Sequence, residues 1–325
     1  GTGLTILQAA ANPYITIVGP IESAAKRISI MGICNKFAGI IAPLIFAAII
    51  LKSSDSVIFE QLNVGAFSEA EKDVVLDGLI RRVIWPYSIL SIFLFAVGIF
   101  IRYSVLPEIN QEEENKEVET DDGKSHTSIL QFPYLLMGAV AMFLHVGTQV
   151  IAIDTIIGYA NSMYMDLLEA KVFPSYTLTA TICGYIMGII LIPKYLSQKR
   201  AFQICCTLGL IFSLGVVLSN MQVSFLGHDA NFSIWFLVLL GFPNSLIYAG
   251  IWPLSIRGLG RFTKIGSSLL IMGLCGNAIL PLIYGHFADL FSVKQAYWVL
   301  IPCYLYLMFF SLYGHKIESW SFKKK

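Results

Sequence analysis

Nine stretches of roughly twenty apolar residues, the length a helix needs to cross a bilayer, run through this sequence. They fall at about 1–18, 28–51, 83–106, 134–158, 174–196, 201–219, 233–255, 266–288 and 296–314. The breaks between them hold the charges and most of the turn residues. Within lipid a chain must satisfy its own backbone polar groups, so such stretches fold as helices. The chain is 56% hydrophobic and 13% charged, with mean hydropathy +0.70. A soluble domain is about 45–50% apolar and about 25% charged, so a soluble enzyme is excluded, and a disordered chain with it. A net charge of +1 gives no basis for nucleic-acid binding.

Two breaks are long. Residues 52–82 form a polar outer segment in which Ser68-Glu69-Ala70-Glu71 matches a capping box and predicts the start of a short amphipathic helix. Residues 107–133 carry Glu112, Glu113, Glu114, Glu117, Glu119, Asp121 and Asp122 and are expected to be a flexible, solvated linker. Lys and Arg mark the cytoplasmic side. With the linker inside, that side collects Lys26, Arg27, Arg102, Lys116, Lys124, Lys194, Lys199, Arg200, Arg257, Arg261, Lys264, Lys316 and the terminal lysines. The outside keeps Lys52, Lys72, Arg81, Arg82, Lys171 and Lys294. This predicts a cytoplasmic linker and C-terminus. The six cysteines lie in apolar runs and read as small packing residues, with no disulfide framework and no metal site.

The linker leaves three spans before it and six after it. Six-span halves joined by a cytoplasmic linker, packed about a midplane cavity, are the plan of major facilitator transporters. Nine spans put the N-terminus outside, yet Gly1 is not methionine and no signal peptide leads the chain. The expectation is a chain that continues upstream, with three helices of the front half missing. Its domains are then 1–106, the remainder of the N-terminal helical half; 107–133, the linker; and 134–325, the C-terminal six-helix half.

Particular stretches are distinctive. Leu7-Gln8-Ala9-Ala10-Ala11-Asn12-Pro13-Tyr14-Ile15-Thr16, Gly19-Pro20-Ile21-Glu22-Ser23, Arg27-Ile28-Ser29 and Cys34-Asn35-Lys36-Phe37-Ala38-Gly39 resemble the fucose–galactose–glucose symporter family of the major facilitator superfamily. Val146-Gly147-Thr148-Gln149 and Leu259-Gly260-Arg261-Phe262-Thr263-Lys264-Ile265-Gly266-Ser267-Ser268 resemble its seventh helix and the loop between its tenth and eleventh. The chain matches the family's fourth to twelfth helices. The fucose branch has a glutamate in place of Gln8 and a glutamine in place of Gly32, and shares Asn35; with Gln8 the chain is more similar to the glucose/galactose branch. In the fucose branch that glutamate and a first-helix aspartate serve sugar binding and proton coupling. The resemblance implies a cation-coupled symporter importing a hexose, glucose and/or galactose first, by alternating access. Its partners would be the sugar, a coupled H+ or Na+, and the bilayer of a bacterial inner membrane. It would be a monomer without cofactor. A fucose or other sugar permease of the same family is the alternative.

Sugar recognition needs amides, which both donate and accept, and an aromatic face. Gln8 and Asn12 share a helix face, and Asn35 lies in the next span beside Gly32 and Gly39. Helix–helix hydrogen bonding is the plainer role for such amides, and Asn12 could serve backbone freed by Pro13. His145, Thr148, Gln149 and Ala152 form a helical stripe with Gln149 near mid-span. Asn244, Tyr248 and Trp252 follow at four-residue steps after an expected kink at Pro243. They suit a sugar platform, although Trp252 equally fits an interfacial aromatic belt. The substrate set is thus Gln8, Asn12, Asn35, Gln149, Asn244, Tyr248 and Trp252. Asp154 and His145 are the ion-coupling candidates, as ionisable groups within spans. Asp154, five residues past Gln149, sits about 140° around an ideal helix from it. An integral-membrane enzyme acting on a lipid-linked substrate is a distant alternative: the sequence has no D-D-x-x-D, H-E-x-x-H or G-x-S-x-G. No filter repeat suggests a channel, and no Walker A pattern suggests ATP hydrolysis.

Overall fold

The computed structural model describes residues 2–20, 23–50, 68–104 and 128–320. Among the described residues the secondary structure is helical apart from one hairpin. Before the linker come α1 (Thr2–Ile17), α2 (Ala24–Ile50) and α3 (Glu69–Arg102). After it come α4 (Pro133–Asp154), α5 (Ile156–Ser162), α6 (Leu167–Ala170), α7 (Phe173–Leu191) and α8 (Gln198–Leu218). A hairpin of β1 (Gln222–Phe225) and β2 (His228–Asn231) leads into α9 (Phe232–Leu239) and α10 (Gly241–Ile256). The chain finishes with α11 (Thr263–Met272), α12 (Gly276–Leu290), α13 (Val293–Ala296) and α14 (Leu300–Leu312).

Seven helical stretches among the described residues are long and apolar enough to cross a membrane. They take in the expected third span and all six after the linker. The first two expected spans are helices of 16 and 27 residues outside that set, so the count of nine is not reached by this measure. The capping box forms as expected: the Ser68 amide and hydroxyl both donate to Glu71 Oε2, at 3.0 and 2.7 Å. The helix it opens is not short, however. It continues for 34 residues into the third span, because the only strong breaker on the way, Pro86, lies inside the helix without ending it. The acidic run of the linker and most of the outer segment, residues 105–127 and 51–67, lie outside the described residues.

The chain divides into two compact units, Gly1–Cys34 with Ile109–Lys325, and Asn35–Glu108. In the smaller unit Phe46 of α2 meets Tyr87 of α3, ring centroids 5.2 Å apart. In the larger, Arg27 holds the turn between α1 and α2, donating to the carbonyls of Ile15 (2.8 Å) and Pro20 (3.0 Å) and to Ser23 Oγ (2.7 Å). Its core centres on α10, of whose 16 residues all but Phe242 and Tyr248 are buried. α10 packs along α4, α7 and α8. The expected kink falls between α9 and α10 at Leu240, three residues before Pro243. Proline has no N–H to offer the carbonyl four residues back, which loosens the helix there.

The hairpin pairs Val223 with Ala230 and Phe225 with His228. Its turn residues, Leu226 and Gly227, have φ of 53° and 83°, the left-handed pair that a two-residue hairpin turn requires. His228 Nδ1 lies 2.6 Å from Glu169 Oε1, and its Nε2 is 3.2 Å from the Tyr176 hydroxyl. Phe173, Tyr176 and Trp235 surround the imidazole, with ring centroids at 5.3, 5.9 and 6.5 Å. The contact fastens the hairpin to the α6–α7 connection. Hydrogen bonds to charged groups contribute about 1.5–3 kcal/mol, less where a partner is exposed. His228→Ala should therefore lower the melting temperature in detergent by a few degrees, and Glu169→Gln by less. No loss in either variant would show that the hairpin is held by its rings alone.

Candidate functional site

Three helices bring polar side chains together inside the larger unit. α4 contributes His145 and Thr148, both 0% exposed, with the Thr148 hydroxyl donating to the His145 carbonyl at 2.8 Å. α10 contributes Asn244 and Trp252, each 1% exposed, and the half-buried Tyr248 between them. The four-residue spacing puts these three on one helix face. The Tyr248 ring centroid is 6.2 Å from that of His145 and 6.2 Å from that of Trp252. α14 contributes Tyr304, whose hydroxyl donates to Asn244 Oδ1 at 2.8 Å. An amide, two aromatic faces and an imidazole thus share one buried region. Such a set can pair with hydroxyls and cover the apolar face of a small polar molecule.

Trp252 is enclosed by protein, so the lipid-facing belt weighed for it does not hold. Gln149 sits half-buried one residue beyond Thr148 on α4. Asp154 is the last residue of α4 and is exposed. The helix stays regular up to it, so the angular separation from Gln149 stands. Gln8 is half-buried on α1, which packs against α11. Asn12 lies on the same helix, with its side chain outside the description. Asn35 is exposed on α2 within the smaller unit. The bare face of Gly32 is covered by a helix partner: a Cβ there would meet the Tyr185 ring of α7, with Cε1 at 2.7 Å.

One participant in the site, Tyr304, and one contact outside it, Glu169–His228, escaped the sequence reading. Tyr304 stands in an apolar run of α14 with nothing to mark it except that a buried tyrosine needs a partner for its hydroxyl. Glu169 and His228 lie 59 residues apart in different connections, a distance no local pattern spans.

No family model matches the chain. It is 29% identical over 317 residues to a glucose/galactose transporter of Brucella abortus, covering 97% of this chain and 69% of that protein. It is 23% identical over 325 residues to a putative glucose/galactose transporter of Helicobacter pylori, covering 98% and 72%. It is 24% identical over 287 residues to the L-fucose-proton symporter of Escherichia coli, covering 88% and 63%. Among solved structures it matches the major facilitator transporter FucP in the outward conformation, with TM-score 0.75, 21% identity and coverage of 98% of this chain and 74% of that one. The fold is therefore the major facilitator fold, with seven helical stretches among the described residues long and apolar enough to cross a membrane. The relatives the chain resembles are named glucose/galactose transporters and L-fucose-proton symporters.

Proposed function

We propose that the chain imports a hexose, glucose and/or galactose, in symport with H+ or Na+, by alternating access in a bacterial inner membrane. The observation that carries this reading is the Asn244–Tyr248–Trp252 face of α10, buried against His145 and Tyr304. The names of the Brucella abortus and Helicobacter pylori relatives support the sugar class and the branch. In this reading Tyr248 and Trp252 cover the apolar side of the ring, and Asn244, Gln149 and Gln8 serve hydroxyls. Asn12 and Asn35 remain in the proposed set on the strength of the resemblance. Asp154 and His145 are proposed as coupling groups. The protein acts as a monomer, with linker and C-terminus cytoplasmic. A C-terminal alkaline phosphatase fusion should accordingly be inactive, and an active one would invert the orientation.

The test is uptake of radiolabelled glucose, galactose and fucose by vesicles carrying the full-length protein, with and without a proton or sodium ionophore. Glucose or galactose should accumulate, and one ionophore should collapse the gradient. Accumulation of fucose alone would move the protein to the fucose branch. No sugar uptake would overturn the reading. Aromatic packing contributes about 0.5–1.5 kcal/mol beyond area burial, so Tyr248→Ala should weaken hexose binding about 2- to 10-fold, whereas Tyr248→Phe keeps most of the affinity. Equal binding by both variants would remove Tyr248 from the site.

A further inference from the structure

We propose that Tyr304 is a positioning residue that fixes the polarity of the Asn244 amide, so that Asn244 meets the hexose as a hydrogen-bond donor only. This rests on the hexose reading and extends it to a residue outside the substrate set. The argument begins with α14. Tyr304 is 0% exposed, and α8 passes so close that a Cβ at Gly209 would run into the Tyr304 ring, with Cδ1 at 2.6 Å. The ring cannot shift toward α8, and its hydroxyl stands at one place. That hydroxyl donates to Asn244 Oδ1 at 2.8 Å.

The other half of the amide follows from this. Asn244 is 1% exposed, and its Nδ2 has no hydrogen-bond partner among the described residues. A buried amide nitrogen without an acceptor is costly and needs a reason. An asparagine can offer either edge, because oxygen and nitrogen exchange by a half-turn of its side chain. Here the half-turn would put Nδ2 against the phenol oxygen, and the Tyr304 proton would have to turn to the Thr148 hydroxyl, the other side chain it reaches. With the phenol proton on Oδ1 the carbonyl edge is taken, and two N–H groups are left for a ligand. Such groups recognise an oxygen with a free lone pair, and they reject a position lacking that oxygen more strongly than one that merely cannot donate.

A double-mutant cycle on the full-length protein tests the coupling, read as glucose and galactose affinity by calorimetry in detergent. Asn244→Ala should weaken binding about 10-fold, the scale of one lost hydrogen bond. Tyr304→Phe, which keeps the ring against Gly209, should weaken it about 3-fold or more in the parent and less than about 2-fold in the Asn244→Ala background. A purely structural tyrosine would give equal losses in both backgrounds, and that result overturns the proposal. Asn244→Asp supplies a second test that leaves Tyr304 untouched. It replaces the donor edge by an acceptor and should bind more weakly than Asn244→Ala. Parent-like affinity for Asn244→Asp would show that the amide accepts from the sugar, and the proposal falls. The parent protein separates the two levels: no hexose binding in the parent removes the hexose reading and this inference together, whereas normal binding without coupling removes this inference alone.

Discussion

Gly276→Val should leave little or no folded protein in mild detergent, while Gly285→Val on the same helix should purify and melt like the parent. Gly276 opens α12, which runs along α4. A Cβ at this position would overlap the Phe143 carbonyl oxygen, with the carbonyl carbon at 2.7 Å and Cα at 3.0 Å. The obstacle is backbone, so no rotamer change relieves it. The same crossing is tight from the other side, since a Cβ at Gly147 would stand 2.7 Å from the Gly276 carbonyl oxygen. Any side chain at 276 must therefore push α4 and α12 apart. In a bilayer, lipid tails are as apolar as the helix surfaces, and association depends on close van der Waals contact. Overpacking costs about 1–3 kcal/mol where side chains can adjust, and a clash against backbone belongs above that range. Gly285, by contrast, has nothing within 4 Å of its Cβ position. The readouts are the monodisperse fraction on size exclusion and the melting temperature. A Gly276→Val variant as stable as the parent would mean that the two helices are not locked at this crossing.

The sequence carries the spans because the cost of exposing backbone to lipid imposes length and apolarity on each one, and both are readable locally. The six stretches after the linker match helices of the structure to within a few residues for that reason. Helix ends depend on single breakers, and there the local rules are weaker. Ser68 and Glu71 announce a start, but nothing in the following residues announces whether the helix ends before the span or runs into it. The four-residue rhythm of Asn244, Tyr248 and Trp252 marks a common face without saying whether lipid or protein covers it. That answer comes from α4, α7 and α8 closing around α10. Tyr304 and the Glu169–His228 contact are purely tertiary, each joining elements that only the packed fold makes neighbours.

Gln8→Ala should lower hexose affinity about 10-fold or more, since one or two hydrogen bonds to the sugar are lost at about 0.5–1.5 kcal/mol each, and a group left unsatisfied adds about 1–3 kcal/mol. The expectation rests on position and chemistry together. Gln8 is half-buried on α1, in the stretch that resembles the symporter family most specifically. Its amide can donate and accept at once, which suits a hydroxyl that does the same. It cannot titrate, so it can hold a sugar but cannot carry the coupled proton. Gln8→Glu separates those two tasks. It restores the acidic group of the fucose branch, and hexose binding should then vary with pH between pH 5 and 9 beyond any variation in the parent. Fluorescence quenching or calorimetry with glucose and galactose across that range reads both variants. If Gln8→Ala binds either sugar as tightly as the parent, Gln8 is an amide serving helix packing, and coupling and recognition must be sought elsewhere: the α10 face with Tyr304 becomes the centre of the site, and His145, packed against Tyr248, the first group to test for the proton.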